Sequence, residues 1–115
     1  MITDKGKSLI ASYLISTFNE SNVGSGGNAT SPAQTELDVP LLSSNVSAIG
    51  VKSAENTVQW KVTVQGSESS ITGRTLREVS LEDSSGNLLL RIPFDAIGPF
   101  STSEEVEFFI EVEVE

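Results

Sequence analysis

The sequence predicts a small α+β protein, mainly β, in which one N-terminal helix packs on an antiparallel β-sandwich of five to seven strands. Three observations carry that expectation. Helical spacing occurs once, at the start of the chain; apolar residues recur at every second position from Asn45 onward; and turn-rich segments separate the alternating runs at short intervals. At 115 residues the chain fits one domain, 1–115, divided into a helix (1–18), a Gly/Ser/Asn-rich loop (19–44) and the β-sandwich (45–115). A chain of this size buries roughly two thirds of the surface its unfolded form exposes, so it folds without a covalent staple.

The helix is expected over residues 3–18. Thr3 is a good N-cap, and Asp4 places a negative charge in the first turn, where the helix dipole favours it. Ile10, Leu14 and Phe18 repeat at four-residue spacing, with Leu9 and Tyr13 widening the apolar stripe. That stripe is expected to lie on the sheet, or on a neighbouring subunit. "NESNVGSGGNATSPAQTELDVP", Asn19 to Pro40, follows as a long loop. Its "GSGG" resembles a phosphate cradle only weakly, because no Lys or Arg lies between Lys7 and Lys52 and no strand precedes the glycines.

"NVSAIGV" supplies a short first strand. "NTVQWKVTVQ" alternates cleanly, with Val58, Trp60, Val62 and Val64 on one face and Gln59, Lys61, Thr63 and Gln65 on the other. After the loop "GSESSITG" comes "LREVSLEDSSGNLLLRIPF", Leu76 to Phe94, a hairpin whose turn chemistry is Asp83-Ser84-Ser85-Gly86-Asn87. Pro93 either ends the second strand of that hairpin or places it on an edge. Glu78 is expected to form a structural ion pair with Arg77 or Arg91. "DAIGPFSTS" reads as a connector. The last strand, "EEVEFFIEVEVE", sets Val106, Phe108, Ile110, Val112 and Val114 on one face and Glu105, Glu107, Glu111, Glu113 and Glu115 on the other. Those glutamates present hard oxygen ligands in a row, but a calcium site usually draws mixed oxygen ligands from loops, and a solvated face that discourages edge-to-edge pairing explains them better. The expected core is Leu9, Tyr13, Leu14, Val58, Trp60, Val62, Val64, Val79, Leu81, Leu89, Phe108, Ile110 and Val112.

Composition narrows the chemistry. The chain has no cysteine and no histidine, which removes disulfides, thiolate chemistry, the usual proton shuttle near neutral pH and the commonest transition-metal ligand. Seven basic residues against sixteen acidic ones give a net charge of −9, and six of the acidic residues fall in the last twelve positions. Nucleic acid and anionic membrane surfaces are therefore not expected as partners. No run approaches the roughly 18 apolar residues of a membrane span, and "MITDKGKSLI" does not have the form of a secretion signal. Asn-x-Ser/Thr matches at Asn19, Asn28 and Asn45 are expected by chance in so Ser/Asn-rich a chain. One Trp and one Tyr, both inside apolar stripes, make a poor platform for sugars. No catalytic, cofactor-binding or metal-binding residues are assigned, no cofactor or small-molecule substrate is expected, and the chain is not expected to be an enzyme.

Taken end to end, the sequence resembles a family of small structural proteins from tailed phages and tailed archaeal viruses. "MITDKGKSLIASYL" is similar to the family's short capped N-terminal helix, and "VGSGGNATSPAQTELDVPL" to its glycine-rich segment followed by a Thr-x-Leu step. "LREVSLEDSSGNLLLRIPFDAI" resembles its I-x-E-V-G-L strand and G-x-L-L-x-R hairpin partner, with Ser80 standing where the pattern usually has glycine. The segment after Phe18 also lacks the longer apolar strand of the family pattern. The resemblance implies a non-enzymatic virion part of the tail, baseplate or fibre-attachment region, made in the host cytoplasm. Its implied partners are its own copies, in a homo-oligomeric ring, and other virion tail proteins. The alternatives are a neck or head-decoration protein of the same virion, and a stand-alone β-sandwich binding module of the carbohydrate-binding type.

Overall fold

A computed structural model describes all residues, Met1–Glu115. Helix α1 spans Asp4–Thr17, with the Thr3 hydroxyl accepting from the Gly6 N–H at 3.0 Å. The strands are β1 (Glu20–Ser21), β2 (Val23–Gly24), β3 (Val46–Ala54), β4 (Thr57–Gln65), β5 (Leu76–Glu82), β6 (Leu88–Ile97) and β7 (Glu105–Glu113). The turn between β5 and β6 is held by Asp83, whose carboxylate accepts from the Ser85 N–H at 2.9 Å and the Asn87 N–H at 2.8 Å.

The chain is mainly β with one N-terminal helix, as expected, but its strands form a single antiparallel sheet curled into a half-barrel, not the two facing sheets of a sandwich. The cause lies in the segment expected to be loop. β1 pairs with β3 on one side and with β5 on the other, and β2 continues along β5 through Val23 opposite Val79. Residues 20–24 thus act as one short strand interrupted at Asn22. They make hydrogen bonding continuous in the order β6, β5, β1/β2, β3, β4, β7. A sandwich needs a break between its sheets, and these few residues close it.

Pro93 lies within β6, opposite Glu78, and the strand runs on through Asp95 and Ala96 to Ile97, residues expected in the connector. This is tolerable because β6 pairs only with β5, leaving its other side without a ladder to interrupt.

The concave face holds the core. Val58, Trp60, Val62, Val64, Val79, Leu81 and Ile110 are buried as expected, while Leu14, Leu89, Phe108 and Val112 are half-buried at its margin. Leu9 and Tyr13 overturn the expectation: they are 58% and 61% exposed. The helix instead turns Ala11, Leu14, Ile15 and Phe18 inward, with Ala11 fully buried. Trp60 explains the rotation. Its indole already fills the space under the helix and donates to the Phe18 carbonyl at 2.8 Å, so the helix approaches on its small residue. Gly50 stands directly across from Trp60 on β3, where a Cβ would come within 2.8 Å of the indole nitrogen.

Gly50→Val should therefore destabilise the fold by about 1–3 kcal/mol, the usual range for overpacking. Leu9→Ser should shift stability by less than about 0.5 kcal/mol, as expected for an exposed position. Urea denaturation followed by the fluorescence of the one tryptophan measures both.

Candidate functional site

The densest polar cluster lies on the convex face of β5, under residues 25–42. Glu78 is fully buried, and the alternation of β5 points it away from the apolar core, on the same face as Ser80. Its Oε1 accepts from Arg91 Nε at 2.8 Å and from the Asp38 N–H at 2.9 Å; its Oε2 accepts from the N–H groups of Gly26 at 2.8 Å and Val39 at 2.9 Å. Arg91, whose side chain is 1% exposed, uses its remaining donors on the carbonyls of Asn28 (2.7 Å) and Gly26 (3.3 Å) and on Asp38 Oδ2 (3.3 Å). Of the two arginines proposed for Glu78, Arg91 is the partner, and Arg77 is exposed.

The glycine-rich turn does cradle an anion, but the anion belongs to this chain. A Cβ at Gly24 would lie 2.4 Å from Glu78 Oε2, and one at Gly26 would lie 2.7 Å from the same oxygen. Only glycine lets the backbone close around that carboxylate. Next to it, Asn22 donates to the Leu42 carbonyl (3.2 Å) and accepts from the Leu42 N–H (3.1 Å), while the Ser21 hydroxyl donates to the Ser80 carbonyl (2.6 Å). No buried side-chain polar atom lacks a partner.

Burial pushes the Glu78 carboxyl up, but the Arg91 guanidinium and the N–H groups of Val39, Asp38 and Gly26 outweigh it and hold it below the ordinary carboxylate range. With every lone pair engaged, Glu78 is anchored as a carboxylate and fastens residues 26–39 to the sheet. The cluster's chemistry is that of a clasp.

The glutamates of the last strand are exposed in a row on the convex face of β7. No three acidic groups converge in a geometry that would hold a metal ion. Lys61 reaches Glu107 at 3.5 Å across the pair of strands, an exposed contact. Asn19 and Asn28 are exposed, whereas the Asn45 amide nitrogen contacts Glu20 and Glu82. A shallow groove lies between the end of α1 and β3, lined by Ile15, Asn19, Glu20, Asn45, Ser47 and Gly50. Exposed apolar side chains group in two places, Ile2, Leu9, Ile10 and Tyr13 on and before the helix and Ile49, Val51 and Phe109 on the convex face of β3 and β7, with Val39 and Ile92 exposed singly elsewhere. The helix stripe was legible as an apolar face, but its exposure was not, because Trp60 decides the rotation.

The chain matches no protein-family model, and a search of curated proteins gives no match.

Glu78→Gln should cost about 3–5 kcal/mol, because it leaves the buried Arg91 without its main counter-charge. The amides of Gly26, Asp38 and Val39 should lose hydrogen-exchange protection in the same variant. Because folding lowers the affinity of Glu78 for its proton, the stability it contributes is complete above its ordinary value of 4.5. That contribution should be lost as pH falls below 4.5 through the lowered folded pKa. Acid titrations of wild type and Glu78→Gln should therefore converge at low pH.

Proposed function

We propose that this chain is a non-enzymatic structural subunit that associates with its own copies, and that it serves in the tail, baseplate or fibre-attachment region of a tailed virus. The observation that carries self-association is the helix face left uncovered by the fold. Leu9, Ile10 and Tyr13 lie within one helical turn of each other, with Ile2 preceding the cap, and all four are exposed. Monomeric proteins scatter apolar side chains singly, whereas a contiguous stripe marks a contact surface. The virion context rests on the resemblance of the capped helix, the glycine-rich segment and the hairpin, in that order along the chain. The Glu78–Arg91 clasp supports a structural role too, since its groups are committed to holding a surface loop in one shape. Virion location and ring symmetry are parts of this proposal.

Light scattering over a concentration series should show a discrete multimer of the wild-type chain. The double variant Leu9→Asp/Tyr13→Asp should weaken association by about 100-fold, taking each lost apolar side chain at about 1.5 kcal/mol. Its circular dichroism and melting temperature should match wild type. A wild-type protein that stays monomeric throughout, or a double variant that assembles normally, overturns the assignment of this face.

A further inference from the structure

The two edges of the half-barrel are not alike. β6 carries Pro93 and two register shifts against β5, between Leu76 and Glu78 and between Leu81 and Glu82. These are ordinary devices by which an edge strand refuses a further partner. β7 has neither. It pairs with β4 over nine consecutive positions, from Thr57 opposite Glu113 to Gln65 opposite Glu105, without a shift, a proline or a glycine.

The direction of its backbone groups follows from the two ends. The Val114 N–H donates to the Asn56 carbonyl at 2.7 Å, and the Gly66 N–H donates to the Glu104 carbonyl at 2.7 Å. Even-numbered residues therefore direct their backbone groups to the β4 side. By the two-residue period of a strand, the N–H and C=O groups of Glu105, Glu107, Phe109, Glu111 and Glu113 point to the other side, where the sheet has no strand. On the concave side of the same strand, Val106, Phe108 and Val112 are only half-buried.

Side-chain charge selects what fits there. A second β7 paired antiparallel about Phe109 would set Glu105 against Glu113 and Glu107 against Glu111, and like charges directly opposite are destabilising. The same row of carboxylates favours Lys or Arg at those positions. At its centre Phe109 is 60% exposed, a ring face for an apolar or guanidinium side chain.

We infer that the free edge of β7 is a strand-addition site for an extended segment of a partner protein that alternates Lys or Arg with apolar residues. The basic side chains face Glu105, Glu107, Glu111 and Glu113, and the apolar ones complete the cover over Val106, Phe108 and Val112. Main-chain hydrogen bonds hold such a segment and the alternate side chains specify it. The inference is independent of the tail assignment and of the helix face.

The test uses the full chain and fluorescein-labelled peptides of nine residues, the length of β7. One peptide alternates Lys with Val, one alternates Glu with Val, and one has the Lys/Val composition in blocks. Anisotropy at low ionic strength should show saturable binding of the alternating Lys/Val peptide alone, weakening as salt is added. Hydrogen exchange should show new protection at the amides of Glu107, Phe109 and Glu111. Phe109→Pro removes an edge donor without removing a bond to β4 and should weaken binding at least tenfold. Should that variant lose its fold, Glu107→Lys/Glu111→Lys serves in its place; with Glu105 and Glu113 retained the row becomes neutral, and the preference for the Lys/Val over the Glu/Val peptide should disappear. No binding, equal binding of the alternating and block peptides, or binding without amide protection would each overturn the inference, the last two by showing mere charge adsorption.

Discussion

The fold depends on one buried ion pair that is fully satisfied. Removing Glu78 and Arg91 from water costs several kcal/mol per ion, and their mutual attraction offsets this only when the remaining hydrogen-bonding capacity is also used. Here it is largely used: four donors converge on the carboxylate, and the guanidinium reaches Asn28, Gly26 and Asp38, so that no nitrogen or oxygen of the pair lacks a partner. The partners are mostly backbone groups of residues 26–39, so the pair converts an irregular segment into a fixed cover on β5. Its main effect is on specificity. An apolar pair of similar volume would bury as much surface but would give the loop no reason to prefer one path.

That cover explains the burial of β5, whose residues from Glu78 to Leu81 are all buried. One face packs on the core and the other lies under the loop, so β5 behaves like the middle layer of a thicker structure. β4, by contrast, buries its valines and Trp60 while Lys61 and Gln65 face solvent. The grouped apolar surface left for contact consequently lies on the helix stripe and on the β3–β4–β7 side of the half-barrel. The loop and the helix each remove one apolar region from water, and what they leave uncovered is what a partner meets.

Much of this was legible in the sequence because it rests on local periodicity. The Thr3 cap, the alternation of β4 and β7 and the Asp83 turn all follow from short-range patterns, as does an ion pair for Glu78, although the sequence left its partner open between Arg77 and Arg91. Three features did not follow, each for a long-range reason. Residues 20–24 are too short and too polar to signal a strand, and they form one only because β3 and β5 present edges to them. The helix buries Ala11 instead of Leu9 because a side chain about fifty residues away occupies the intervening space. The glycines after Val23 looked like loop, and their need to be glycine appears only beside the Glu78 carboxylate.

The placement of residues 20–24 has a consequence for biosynthesis. This link between the two halves of the sheet is near the N-terminus, yet its partner Ser80 follows Ser21 by 59 residues. At about 5–20 residues per second, a ribosome needs about 3–12 s to supply that partner. During that interval β1 can pair with β3, but its other edge has nothing to bond, and the carboxylate that orders the glycine-rich turn does not yet exist. The nascent chain therefore spends those seconds with an open strand edge and an unfastened loop. Its sheet becomes whole only when β5 arrives, in a topology whose non-local pairings already make folding slow.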